Sequence, residues 1–169
     1  MRAVGVDEVV ARAGVAKATL YHHFPSKNEL VVAFLQAREE RWTFGWVATQ
    51  ARLRGETPEE HLLAIFDLFD EWFHRDDFEG CSFINVLLEM SSEHPAGRAS
   101  VKHLETIRSV VAEFADEAGL HDPADFARSW HILMKGSIVQ AAEGDVDAAR
   151  RAQELARLLI HHHREVSRT

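Results

Sequence analysis

Apolar residues recur at helical spacing in the first part of this chain, and turn-forming residues interrupt them. A first short helix is predicted from apolar residues at positions i, i+3, i+4 and i+7: Val6, Val9, Val10 and Ala13. Gly14 follows and suits the left-handed backbone that ends a helix. A second short helix, from about residue 17 to 24, has Leu20 and Phe24 on its inner face, and Pro25 ends it.

A much longer helix is predicted next. Ser26 and Glu29 have the spacing of a capping box, and the helical pattern continues from there to about Arg54. Further breaks, with Thr57 and Asp122 as helix caps, divide the rest into helices at about 58–73, 81–93, 95–118, 123–143 and 146–163. Because no segment alternates as a strand would, the predicted fold class is all-α.

The expected organisation is an N-terminal helix-turn-helix in residues 1–35, joined to a larger body of antiparallel helices in residues 36–169. Hydrophobic residues make up 46% of the 169 residues, which is enough for a core. The net charge is −8, yet residues 1–35 carry four Lys and Arg against three Asp and Glu, or +1, which leaves −9 on the rest. The N-terminal segment can therefore face phosphate while the acidic body faces away.

The location expected for the chain is the cytoplasm. A single cysteine, Cys81, excludes an internal disulfide and fits a reducing compartment. No apolar run reaches the length of a transmembrane helix, so no membrane partner is expected.

Two short helices joined by a turn that contains glycine are typical of a helix-turn-helix. At about 100° per residue, Ala18 and His22 point away from the inner face of the second helix. Thr19 and Tyr21 lie on its flanks. Small residues allow close approach to a DNA groove, and the polar side chains can bond phosphates or base edges.

The segment VDEVVARAGVAKATLYHHFPSKNELV strongly resembles the DNA-binding segment of the tetracycline-repressor (TetR) family. The family's pattern is matched by Ala13-Gly14-Val15, Tyr21, Phe24 and Lys27. The resemblance implies contacts with double-stranded operator DNA for Lys17, Thr19, Tyr21, His22 and Lys27. Ala16 and Gly5 depart from it, because Ser is common at the first position and a Ser or Thr cap at the second.

TetR-like proteins also have a further helix before these two. Only Met1 to Gly5 precede them here, so we expect that helix to be missing. The chain would then dimerise and bind its effector, but would bind DNA poorly.

The resemblance further implies that the acidic body binds a small-molecule effector. Candidate effector-binding residues are aromatic or polar positions within apolar helices: Trp42, Trp46, Phe69, Asn85, Glu89, His103, Trp130, His131 and Met134. The alternative is that the aromatic residues fill the core and the polar ones form an internal network, since a buried charge is costly unless paired.

A twofold dimer through the last two long helices is implied as well. Ile138, Leu155 and Leu159 lie on apolar stripes of those helices and are the candidate interface residues. The alternative use of the stripes is burial against the chain's own body.

Metal and catalytic functions have weaker support. Ligand types for a divalent ion occur at Glu89, His94, His103 and His131, but without tight spacing, and the run His161–His163 is interpreted as a solvated helix end. No nucleophile motif, phosphate loop or carboxylate pair occurs, and Cys81 is interpreted as structural. We therefore assign no metal, cofactor or catalytic residue.

The function expected is that of a DNA-binding transcriptional regulator, a repressor released from its operator by the effector. The alternative is a helical ligand-binding or dimerisation module that no longer binds DNA.

Overall fold

The structure of this protein, a computed structural model, describes residues 5–166, with side chains as far as Arg164. Every regular element in this range is helical, which confirms the all-α prediction. The elements are α1 Val6–Ala13, α2 Lys17–His23, α3 Lys27–Arg38, a π-helical segment Glu39–Ala48, α4 Thr49–Arg54, α5 Pro58–Phe73, α6 Ser82–Met90, α7 Pro95–Glu117, α8 Pro123–Ala142 and α9 Ala148–Val166. None of the helices in the described range combines the length and apolar composition needed to cross a bilayer.

The boundaries of the first helices follow from local chemistry. Gly14 has a φ of 66°, a conformation that favours glycine, and its N–H donates to the carbonyl of Ala11 at 3.3 Å. Ser26 caps α3, because its Oγ accepts a hydrogen bond from the Glu29 N–H at 3.2 Å. Both predicted helix ends are thus present.

The two caps predicted further along the chain are also formed. Thr57 and Glu60 make a complete capping box, with N–H to side-chain oxygen distances of 3.3 and 3.0 Å. Asp122 accepts from the Asp125 N–H at 3.1 Å, although its own φ of 44° is left-handed.

The long helix predicted from Ser26 to Arg54 is interrupted by the π-helical segment. Gly45 accommodates the close approach of a carbonyl within it, since a Cβ there would lie 3.2 Å from the carbonyl oxygen of Glu40, five residues earlier. At the end of the segment, the Thr49 hydroxyl donates to the carbonyl of Phe44 at 2.7 Å, again five residues earlier. The helical pattern contains no sign of this change, because a π-helix needs no particular apolar period.

The histidine run near the end of the chain corrects one expectation. His163 is buried rather than solvated. Its Nδ1 lies 2.6 Å from the carbonyl oxygen of His121, and its ring packs edge-on against Phe126 at 5.2 Å. His161 and His162 are exposed, as expected.

By packing, the chain divides into two compact units. Unit 1 contains the residues up to Glu39 together with Ser82–Leu104, and unit 2 contains Glu40–Cys81 together with the residues from Glu105 onward. The division predicted after residue 35 stays a prediction, but α6 and the first part of α7 pack in the unit that holds α1–α3.

Unit 2 has a large aromatic core. Helix α5 packs against α4, α8 and α9, and α8 packs against α9. Its fully buried large side chains include Leu62, Ile65, Phe66, Phe69, Phe114, Phe126 and Trp130. Burying one such side chain stabilises a fold by about 1.5–3 kcal/mol, so this core supplies much of the stability of the unit.

Candidate DNA-binding and effector sites

Helix α2 presents a polar face above a single buried anchor. Leu20 is 8% exposed, whereas Ala18, Thr19, Tyr21 and His22 are all exposed. Helix α1 packs against α2 in unit 1. This is the arrangement that a recognition helix needs, with one side fixed to its support and the other free to enter a groove. Whether these side chains touch DNA stays a prediction.

Lys17, at the start of α2, is paired with α1. Its Nζ lies 2.8 Å from Asp7 Oδ1, and both side chains are largely exposed. The hydrogen bond to Asp7, and then the charge of Asp7, raise the pKa of Lys17. The Lys17 side chain, a predicted DNA contact, is thus already engaged by a carboxylate, which the sequence spacing did not indicate.

Lys27 lies at the first residue of α3 and is half-buried. The first N–H groups of a helix attract anions, and a cation beside them strengthens that attraction. The Ser26 side chain takes up only the N–H of Glu29. The start of α3 is therefore a second candidate phosphate contact, next to the exposed face of α2.

Histidine rings extend the surface at the end of α2. His22 and His23 are both exposed and pack edge to face, with ring centroids 5.3 Å apart. The two imidazole rings therefore add polar groups to the exposed surface at this end of α2.

The aromatic effector candidates of unit 2 pack on one another. Trp42 lies 5.9 Å from Trp46 and 6.0 Å from Phe69, measured between ring centroids. Trp130 is fully buried, 5.2 Å from Phe66. Phe69 and Trp130 are therefore core residues, whereas Trp46 is half-buried and remains a candidate lining residue.

His131 lies beside two cations of unit 2, Lys135 and Arg108. It is 4% exposed, and burial, followed by the charges of Lys135 and Arg108, lowers its pKa to about 3. Lys135 is half-buried, and burial and then Arg108 lower its pKa. Arg108 pairs with Glu105 at 3.5 Å, and the Glu105 side chain is the more exposed of the two.

Sequence reasoning missed Arg108 in this group, because it reaches His131 and Lys135 from another helix. Met134 is the remaining candidate on α8 and lies between His131 and Lys135 in the sequence. Its side chain is 2% exposed and belongs to the core.

The candidates of unit 1 are placed differently from one another. Asn85 is exposed and Glu89 half-buried, so the interior position expected for Asn85 is wrong. Helix α6 is apolar nearly all round, and even Leu88 is 79% exposed. The apolar neighbours of Asn85 therefore did not indicate which face of the helix is buried. His103 is buried, with Nδ1 2.8 Å from Glu39 Oε1.

The residues considered for a metal are not brought together as a set. Among the described residues, the ligand atoms of Glu89, His94 and His103 do not converge, and His131 has cationic neighbours, which oppose a metal ion. In the described range, ligand atoms do converge at Asp70, His74 and Asp147. Arg150 already holds both Asp70 oxygens, at 3.2 and 3.3 Å.

The candidate dimer residues also separate. Ile138 is 5% exposed and lies in the chain's own core, whereas Leu155 is 53% exposed and Leu159 half-buried. Helix α8 carries a second, exposed apolar stripe at Ile132 and Val139, and α9 adds Leu158. The spacing of apolar residues could not decide which of Ile138 and Val139 is exposed for a dimer contact, because α8 is apolar on two adjacent faces.

Comparisons with known proteins agree with this architecture. The family model described as "Bacterial regulatory proteins, tetR family" matches residues 1–34. The chain is 30% identical over 148 residues to the transcriptional regulator AcuR of Cereibacter sphaeroides, covering 82% of this chain and 67% of AcuR. It is 36% identical over 74 residues to the transcriptional activator FasR of Mycolicibacterium smegmatis, covering 44% of this chain and 33% of FasR.

Among solved structures, SCO4454, a TetR-family transcriptional regulator from Streptomyces coelicolor, superposes with a TM-score of 0.84 at 25% identity, covering 95% of this chain and 85% of that one. The exposed α2 face, its supporting helix and these similarities lead to one conclusion. The chain belongs to the TetR family of bacterial transcriptional regulators, as the sequence resemblance indicated.

Proposed function

We propose that the protein is a repressor that binds operator DNA through α2 as a dimer and leaves it when a small effector binds. The observation that carries this proposal is the α2 face, where Tyr21 and His22 are exposed while Leu20 is buried. The face lies in the segment that the family model covers. Two such helices in a twofold dimer would enter major grooves about one DNA turn apart.

Dimerisation through α8 and α9 is part of the proposal. The exposed apolar side chains of Ile132, Val139, Leu155 and Leu158 support it. Large apolar side chains exposed to water are unfavourable, and covering them at an interface would stabilise a dimer.

We propose repression rather than activation because of the resemblance to the tetracycline-repressor family. The direction needs its own test, since the relative FasR is a transcriptional activator. A reporter gene placed behind the bound DNA distinguishes the two. Loss of the protein raises reporter expression if the protein is a repressor and lowers it if the protein is an activator.

We propose further that the effector carries a negative charge. Lys135, Arg108 and His131 of unit 2 place positive or neutral hydrogen-bond donors together at a half-buried position, in a chain whose overall charge is −8. A carboxylate would offset the unfavourable charge of Lys135 there. The partly exposed Arg108 keeps the group reachable from solvent.

The experiment for the proposed function is selection of duplexes from a random-sequence pool by the purified chain, at a defined salt concentration. Enrichment of a sequence with twofold symmetry supports a dimeric operator-binding protein. Such a protein would act in the cytoplasm, where bacterial DNA lies. Recovery of no sequence above background would favour the alternative, a helical module that no longer binds DNA. No catalytic step forms part of the proposal.

A further inference from the structure

A buried carboxylate–imidazole contact lies inside unit 1. Glu39 Oε1 and His103 Nδ1 are 2.8 Å apart, and the two side chains are only 15% and 8% exposed. The ring N–H is not aligned with that oxygen well enough for a regular hydrogen bond. The Phe83 ring packs beside the imidazole, with centroids 5.2 Å apart. The end of α3 is thus joined to α7 by the polar contact of Glu39 with His103, and α6 packs on α7 beside it through Phe83.

Such a contact is costly to place in a protein interior. Both groups lose water on burial, and an apolar pair of similar volume stabilises a fold at least as well. Removing one partner, in contrast, leaves the other buried without compensation. The pair therefore specifies a particular arrangement of its helices more than it adds stability.

Its place in the chain is informative. Glu39 is the last residue of the first segment of unit 1, and it is also the first residue of the π-helical segment. His103 is one residue before the end of the other segment, on α7, which continues into unit 2 as the same helix. π-Helical turns within longer helices often occur at functional sites.

At its other end, α3 is separated from α2 by only three residues, so the direction of α3 sets the position of the recognition helix. We propose that Glu39 and His103 are positioning residues, whose contact fixes the end of α3 against α7 and so holds α2 in its DNA-binding orientation. A change in α7 that separates the pair would release α2. The DNA-binding part of this inference rests on the proposed function.

The test uses the full chain with Glu39→Gln, His103→Gln and both together. Gln keeps the size of Glu and removes its charge. The matched control is Ser100→Ala, because Ser100 is fully buried one turn before His103 on α7 and its Oγ has no hydrogen-bond partner in the described range. Two quantities are measured: amide hydrogen exchange of α1–α3, and affinity for the duplex that the wild-type chain selects from a random pool.

We expect both single variants to exchange faster along α3 and to bind the duplex about tenfold more weakly, a common size for coupling between sites. The double variant should resemble either single variant, because each one already removes the contact. Ser100→Ala should keep wild-type exchange in α3 and wild-type affinity.

Unchanged exchange in α3, single effects that add in the double variant, or an equal effect of Ser100→Ala would overturn the inference. If neither single variant folds, the pair is a general stability element and the inference is also wrong. Failure of the proposed function looks different, because the wild-type chain then selects no duplex while the exchange experiment still decides the role of the pair.

Discussion

Lys17 Nζ lies 2.8 Å from Asp7 Oδ1, so the first residue of the recognition helix is held by a carboxylate of the helix that supports it. The pair joins α1 to α2 and helps to fix their angle. It also sets a competition, since a DNA phosphate that approaches Lys17 must share the ammonium group with Asp7 or displace it.

Replacing Asp7 with Asn should strengthen DNA binding by up to about fivefold, the range of an exposed charge contact. The released Lys17 would bind phosphate, and the slope of log affinity against log salt would steepen by about 0.9. The matched control is Glu8→Gln, which removes the same charge from α1 but frees Arg12, paired with Glu8 at 2.9 Å. An equal gain in both variants would show a general charge effect and no special role for Lys17.

Stability should fall in mild acid because of His131. Burial lowers its pKa to about 3, while an unfolded chain binds the proton near the ordinary value of about 6.5. The unfolded state therefore binds more protons between those two values, and stability is lost as the pH falls through that window. Between pH 8 and pH 5, this one group should cost about 2 kcal/mol.

Urea unfolding of the wild type and of His131→Leu at both pH values measures that cost. The difference in unfolding free energy between the pH values should be smaller in the variant by about 2 kcal/mol. Met134→Leu, a buried change on the same helix without a titrating group, should keep the wild-type difference. If His131→Leu loses as much unfolding free energy between pH 8 and pH 5 as the wild type does, His131 is not buried in its neutral form.

Replacing Leu158 with Glu should dissociate the proposed dimer and leave the fold intact, since Leu158 is 67% exposed. Ile138→Ala should instead destabilise the fold, because the cavity that it leaves in the core costs about 2–5 kcal/mol. Sedimentation at micromolar concentration and thermal unfolding separate the two effects. Leu53→Glu on α4 is the matched control, because Leu53 is 72% exposed and should tolerate the charge without loss of the dimer.

The proposed negative charge of the effector can be tested with chemically paired probes. Small monocarboxylates should raise the thermal midpoint at fixed ionic strength, whereas their amides should not. Lys135→Met should abolish the shift, and Lys102→Met, an exposed change on α7, should retain it. Equal shifts with acids and amides, or a shift that survives in Lys135→Met, would exclude the cationic group as the anchor.

Local signals in the sequence were sufficient for most helix boundaries. Gly14, Ser26 and Thr57 act on backbone groups within four residues, so their roles could be predicted from spacing alone. The exposed face of α2 followed from the helical period in the same way.

Contacts between distant residues had no such signal. Glu39 and His103 are 64 positions apart, and neither lies in a motif. Arg108 joins His131 and Lys135 only through folding. The burial of His163 depends on the carbonyl of His121, which a run of histidines does not reveal. Pairing of this kind decides the candidate effector site, which is why no motif in the sequence marks its residues.

The most direct test of DNA recognition by α2 compares the wild-type chain with Tyr21→Ala and His22→Ala on the duplex that the wild type selects. Both residues are exposed, so the variants should keep the wild-type thermal midpoint. We predict that each binds at least about tenfold more weakly at fixed salt, the loss of roughly 1.4 kcal/mol of contact energy. Wild-type affinity in both variants, with the fold intact, would contradict DNA recognition through this face.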